Sequence, residues 1–331
     1  MSLKERELSS VRTIISKEEV RLSLFTNPGR EIVQMGLIED IKRNKASYLM
    51  IAPYMILFTI FTLIPVISSI FLSFTNYNML QPPKWVGWSN YIRLFLNDKV
   101  FLKVLRNTLI FAFLTGPLSY FMSFFLAWFI SEFNPKLRAF LTLVFYSPSL
   151  AGNVFFIWSF IFSGDVYGLI NGWAMKLGLI DEPINWLQDP NYILWVIIIV
   201  QLWLSMGAGF LAFVAGFQNL DRELFEAGAI DGIKNRFQEL FYITIPQMAP
   251  QLLFGAVMQI GASFGVSTVV MALGGLPTRE YSADTVVTYL IDYGTVRFEM
   301  GYASAIAVIL FIAMLLTNKV ITSILRRYSL D

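Results

Sequence analysis

The sequence has no cysteine and no histidine in its 331 residues. The first absence excludes disulfides and thiolate metal sites. The second removes the side chain most used as a general base and proton carrier near neutral pH. Charge is scarce as well: Asp, Glu, Lys and Arg make up 15% of the chain, against roughly a quarter in a soluble domain. Apolar residues take up the difference, at 56%, and the mean hydropathy is +0.60. A net charge of +2 gives no polybasic case for nucleic acid, and no phosphate loop of the form GxxxxGK(S/T) occurs. No fixed-period repeat or low-complexity segment is found.

What is present is a set of six apolar runs, at about 48–74, 108–130, 140–163, 192–217, 248–273 and 302–321. Crossing a bilayer takes about 20 residues as a helix, and only helices or closed barrels satisfy their backbone in lipid. Runs of this length therefore predict an all-α, polytopic membrane protein with six transmembrane helices. Three regions follow: a cytoplasmic extension over 1–47, a membrane domain over 48–325 and a short cytoplasmic tail over 326–331.

Residues 1–47 carry sixteen charges, and the run that follows is too long for a cleaved signal core. They read as a mobile extension, or as an interfacial helix with Lys42, Arg43 and Lys45 near lipid headgroups. With the N-terminus inside, cytoplasmic segments hold seventeen Lys and Arg and external loops eight. The positive-inside rule thus puts both termini in the cytoplasm of a plasma-membrane protein. The first external loop dissents, with Lys84, Arg93, Lys99, Lys103 and Arg106; an amphipathic external segment would account for them.

The runs also restrict function. Lys319, at the end of the last run, is their only charged residue. Ion-coupled carriers place ionisable groups at membrane depth, which argues against proton coupling, although carbonyls and hydroxyls alone can hold sodium. An intramembrane enzyme lacks a nucleophile or acid–base pair, so no catalytic residue is assigned. A stand-alone channel or facilitator remains, or a transporter whose energy source sits on another chain.

The stretch 221–246, DRELFEAGAIDGIKNRFQELFYITIP, bears on that choice. Asp221 is a natural N-cap for a helix to about Asp231, with Glu223 in the first turn and Gly232 as the left-handed stop. Ala227, Gly228 and Ala229 give this helix a thin profile. Ile233, Phe237, Leu240 and Phe241 predict a second, amphipathic helix over 233–242, and Pro246 precedes the fifth run. Spacing alone leaves two readings: a loop lying on the inner leaflet, or a docking surface.

The residues EAGAIDG…ITIP resemble the EAA loop of permease subunits of binding-protein-dependent ABC importers. The flanking segments APYMILFTIFTLIPVISSIFLSFTNYN, NYIRLF, LRNTLIFA, YGLIN and MGYASAIAVILF are similar to the sugar branch of that family. Within it they are most similar to the first permease of glycerol-phosphate, maltose and oligosaccharide importers. The likeness covers about 46–325. It implies that Glu226, Ala227, Gly228, Asp231, Gly232 and Pro246 couple to an ATPase, with Glu226 offered to a basic residue and Ala227 and Gly228 fitting a cleft. Gly228 replaces the usual Ala, Ile245 the usual Leu, and the interval from Gly232 to Pro246 is one residue longer than the family pattern.

The implied partners are a second, related permease in a heterodimer, two nucleotide-binding ATPase subunits, an extracytoplasmic solute-binding protein and membrane lipid. ATP and Mg would bind the ATPases, with no cofactor or metal on this chain, which would not itself be an enzyme. For a sugar or oligosaccharide path, the runs offer hydroxyls, amides and aromatics: Tyr146, Ser147 and Asn153; Gln201, Trp203 and Ser205; Gln259, Ser263 and Ser267. The last three, at i, i+4 and i+8, would share one helix face. Hydrogen bonding between helices explains the same residues equally well. A non-sugar solute is the alternative cargo.

Overall fold

The computed structural model describes residues 44–152 and 154–330, with side chains through Leu325. The expectations for 1–43, including Lys42 and Arg43, and the one for Asn153 lie outside the described residues.

Among the described residues five helical stretches are long and apolar enough to cross a membrane. They are α1 (Lys45–Leu72), α3 (Lys99–Ser131), the pair α7 (Ile193–Leu204) and α8 (Ala208–Gln218), the pair α11 (Ala249–Phe264) and α12 (Thr268–Gly274), and α14, which runs Met300–Leu330. The remaining run, 140–163, forms two helices, α4 (Pro135–Leu150) and α5 (Phe155–Ile161), bent by 88°. Shorter elements complete the chain: α2 (Ser89–Ile92), α6 (Leu169–Lys176), α9 (Arg222–Ile230), α10 (Arg236–Glu239), α13 (Val286–Ile291) and a two-stranded ribbon, β1 (Thr75–Asn76) with β2 (Lys84–Trp85).

The chain divides into two compact units, one ending at Ile67 and one beginning at Ser68. In the first, α1 tolerates Pro53 in its interior and contains a π-helical turn at Thr59–Leu63. Tyr54 and Phe58, four residues apart, stack with ring centroids 6.0 Å apart.

The second unit is organised along α3. Its Phe101 and Val104 pack with Leu94, Tyr289, Tyr302 and Ile306 at one end. Phe111 packs with Val196, Ile197 and Val270 in the middle. Phe124, Ala127 and Ile130 meet Phe210, Phe213 and Met248 at the other end. Between helices in lipid the hydrophobic effect contributes little, because acyl chains are as apolar as leucine; close packing decides instead. That is why Gly209 of α8 faces Gly255 of α11, where an added β-carbon on Gly209 would lie 3.5 Å from the Gly255 Cα. One on Gly255 would collide with the Phe213 ring.

The end of the bundle bearing Asp98 is knitted by polar side chains. Asp98 caps α3 through Phe101 N–H at 3.0 Å and accepts from the Tyr289 and Tyr302 hydroxyls, each at 2.6 Å. Arg93 lies 4.1 Å over the Tyr302 ring and pairs with Glu299 at 2.6 Å. Asn107 donates to the carbonyls of Tyr281, Ser282 and Asp284, fixing the 276–288 stretch. Lys103 donates to the Glu280 carbonyl at 2.7 Å. Arg93 and Lys103, expected on an amphipathic loop surface, are thus tied to the segment that precedes α14.

Candidate functional site

The 221–246 stretch folds from its own local chemistry. The Asp221 carboxylate caps α9 by accepting from Glu223 N–H at 3.0 Å, as the sequence predicts. The helix ends in a Schellman turn: Ile233 N–H donates to Gly228 O at 2.9 Å and Gly232 N–H to Ala229 O at 3.4 Å. Gly232 has φ +97°, a conformation glycine adopts without a β-carbon clash.

Gly228 faces inward. An added β-carbon would lie 2.8 Å from Ile243 Cδ1 and 3.0 Å from Ile233 Cδ1, so the missing side chain lets α9 close onto the rest of its own loop. The outward face carries Leu224, Glu226, Ala227 and Ile230, the last 88% exposed. Asp231 and Pro246 are also exposed.

The second half differs from expectation. A single helix over 233–242 does not form. Asn235 caps one helical turn, α10, and a π-helical turn follows at Leu240–Thr244. Bonds from i to i+5 rotate the residues after Glu239 out of α-helical phase. Leu240, Ile243 and Thr244 are therefore buried, while Phe237 and Phe241 are exposed and the anticipated stripe is split. Pro246 itself sits in a short helical turn, Ile245–Gln247, ahead of the break at Met248.

Three ties hold the loop to the bundle. Arg236 lies 3.1 Å from Glu132, just past the end of α3, and 3.0 Å from Glu239. The Glu239 hydrogen bond and then the Glu132 field raise the Arg236 guanidinium above its ordinary pKa. Phe237 packs on Trp128 of α3, with centroids 5.7 Å apart. The Asp221 N–H donates to the Gln247 side chain at 3.1 Å.

Within the bundle, three of the predicted continuous runs are interrupted: after Leu150, at Ser205–Gly207 and at Gly265–Ser267. Gly152, Gly207 and Gly265, one at each break, are weak helix formers, so periodicity in hydrophobicity outlasts the helices themselves. Neighbouring side chains satisfy the freed carbonyls. Ser149 Oγ donates to Leu204 O and Met206 O at 3.1 and 2.7 Å, Gln259 to Ser205 O at 3.3 Å, and Thr285 to Val266 O at 2.6 Å. Non-helical backbone at such depth persists where protein groups or a cavity satisfy it.

These breaks sort the predicted path residues. Gln259 and Ser263 are buried and line a cavity of about 350 Å³ between α3, α11 and α14, with Tyr120 and Thr317. Gln259 also reaches Ser205, and Trp203 packs edge-on against Trp158 at 5.4 Å. Ser267 does not share the face of Gln259 and Ser263, because α11 ends at Phe264. Tyr146 packs with the Phe124 and Phe213 cluster, Ser147 bonds back to Val144 O, and Gln201 is part-exposed. Sequence reasoning missed Ser149 and Asn107; the Pro148-Ser149 pair was the available signal for the first.

Residues 36–329 match the family described as binding-protein-dependent transport system inner membrane component. The chain is 36% identical over 286 residues to the probable ABC transporter permease protein YesP of Bacillus subtilis (strain 168), covering 83% of this chain and 89% of that one. It is 30% identical to the arabinooligosaccharides transport system permease protein AraP of the same organism, covering 84% and 88%. A chain from the crystal structure of a bacterial alginate ABC transporter in complex with an alginate pentasaccharide-bound periplasmic protein shares the fold. Its TM-score is 0.73 at 23% identity, over 89% of this chain and 99% of that one.

Proposed function

The chain belongs to the family of binding-protein-dependent transport system inner membrane components, and from that premise we propose a permease that forms half the path of an ATP-driven importer for a sugar or oligosaccharide. The observation that carries the coupling part is α9: a capped helix with Glu226, Ala227 and Ile230 turned outward and its inner face closed on Ile233 and Ile243. The names of the relatives support a glycan cargo: arabinooligosaccharides for AraP, and alginate for the structural neighbour.

In this reading both termini and the 221–246 loop face the cytoplasm, with 1–47 and 326–331 flanking the membrane domain. Two ATPase subunits bind ATP and Mg, one of them receiving α9, and a second permease completes the path. An extracytoplasmic binding protein delivers the solute to the end bearing Asp98.

Arg236–Glu132 carries motion of the loop into α3, and α3 touches every core cluster of the second unit. Along the path, Gln259, Ser263 and Ser205 offer hydrogen bonds to hydroxyls, and Trp203 an aromatic face. An uncharged lining suits a neutral glycan, since a buried unpaired charge would be costly.

Reconstitution with the ATPase, second permease and binding protein, scoring which glycans stimulate ATP hydrolysis, tests the proposal. Solute flux through this chain alone, independent of ATP, would instead make it a facilitator.

A further inference from the structure

A second cavity, polar where the first is apolar and of about 340 Å³, lies between the Trp128 end of α3, the start of α4 and the 221–246 loop. Its lining is mostly polar and cationic: Arg138 from α4, Arg222 from the first turn of α9 and Arg236 from α10, against Glu132 and Glu239. Arg236 is committed to both of those carboxylates. Among the described residues, neither Arg138 nor Arg222 has a carboxylate within 4.0 Å. Both acids of the cavity thus contact one arginine, which leaves Arg138 and Arg222 without a carboxylate partner and a net charge of +1 over three arginines and two glutamates, around a polar space edged by Trp128 and Thr244.

We propose that this cavity binds a phosphoryl group between Arg138 and Arg222. Guanidinium forks match phosphate oxygens in pairs, and such charge-assisted bonds are about twice as strong as neutral ones. Three features fit the headgroup of an anionic phospholipid: the cavity's place at the end of the bundle, the tryptophan at its edge, and the negative inner leaflet. The leaflet argument rests on the cytoplasmic placement of the loop proposed above. A free phosphate offers the same oxygens. Either would join α4 to α9, so occupancy would set how firmly the coupling helix is held.

The test uses the assembled transporter in nanodiscs containing phosphatidylcholine with or without phosphatidylglycerol, read by native mass spectrometry. Retention is measured without transport, so a wrong cargo or an idle ATPase leaves the readout intact. Wild type is expected to retain phosphatidylglycerol over phosphatidylcholine. Arg138→Gln and Arg222→Gln should each lower that retention about tenfold, the effect of losing one charged hydrogen bond. Displacement by millimolar inorganic phosphate would assign the site to a free anion, and resistance to it would assign the site to lipid. Retention of neither lipid with no phosphate bound, or unchanged binding in both variants, would overturn the proposal. Arg138→Lys, which keeps the charge, checks that loss in Arg138→Gln is not misfolding: partial retention is expected, and none would overturn the proposal.

Discussion

The inner face of Gly228 meets the end of the Ile243 side chain, with 2.8 Å between a β-carbon built at 228 and Ile243 Cδ1. This relationship locks the two halves of the 221–246 loop together across fifteen residues. Its consequence is graded. Gly228→Ala is expected to be tolerated, because the Ile243 terminus can rotate away, and Ala gains up to about 1 kcal/mol in helix propensity. Gly228→Leu overfills the site at a cost of about 1–3 kcal/mol. Solute-stimulated ATPase activity of the reconstituted transporter should fall for Leu and hold for Ala; equal activities would mean that the loop does not close here.

Glu226 and Ile230 face outward on α9 and carry no interior packing to lose. Glu226→Lys is expected to abolish ATPase-coupled uptake while membrane insertion and thermal stability stay at wild-type levels. Co-purification of the ATPase with the variant measures the loss. Normal uptake by Glu226→Lys would remove α9 from the coupling surface.

Gln259 holds the broken backbone at Ser205 and also lines the cavity between α3, α11 and α14. Gln259→Leu removes one of two donors to the Ser205 carbonyl, which still accepts from Gly207 N–H at 2.9 Å, and should destabilise the protein by about 0.5–1.5 kcal/mol. Gln259→Glu keeps the shape but places a charge in the path. It is expected to slow uptake of neutral glycans more than it lowers the melting temperature, and proportional losses would mark a purely structural role.

At Asp98, burial pushes the carboxyl up, but hydrogen bonds from Tyr289, Tyr302 and the backbone outweigh it and hold the group below its ordinary range. The folded pKa thus lies below the unfolded one, so its contribution is full above the unfolded value of about 3.9. It is lost as pH falls through the lower, folded value. Melting temperatures followed downward from pH 6 should show an acid-dependent fall that Asp98→Asn flattens. A variant curve parallel to wild type would exclude this carboxyl as the source.

Much of the architecture was legible because lipid imposes simple constraints. Long charge-poor runs have one structural outcome, and Asp221, Gly232 and the small residues between them specify a capped helix and its stop by backbone chemistry alone. The second segment differs from the expected helix because hydrophobic spacing cannot distinguish an α-turn from a π-turn, and the phase slip after Glu239 splits the stripe, with Leu240 buried and Phe241 exposed. The helix breaks were equally hidden. Ser205, Gly207 and Gly265 lie in apolar runs whose hydropathy is continuous, and the partners that stabilise the open turns come from elsewhere in the chain.

By itself, then, the sequence determined that this chain spans a membrane without charged groups at depth, and that 221–246 is a patterned helix–turn element. Tertiary structure decided what that element is fastened to and which polar residues meet. Arg236 and Glu132 are 104 positions apart, and Gln259 and Ser205 are 54 apart. Local propensity acts over a few residues; pairs this distant are chosen only when α3, α8 and α11 pack closely enough for their side chains to exchange hydrogen bonds.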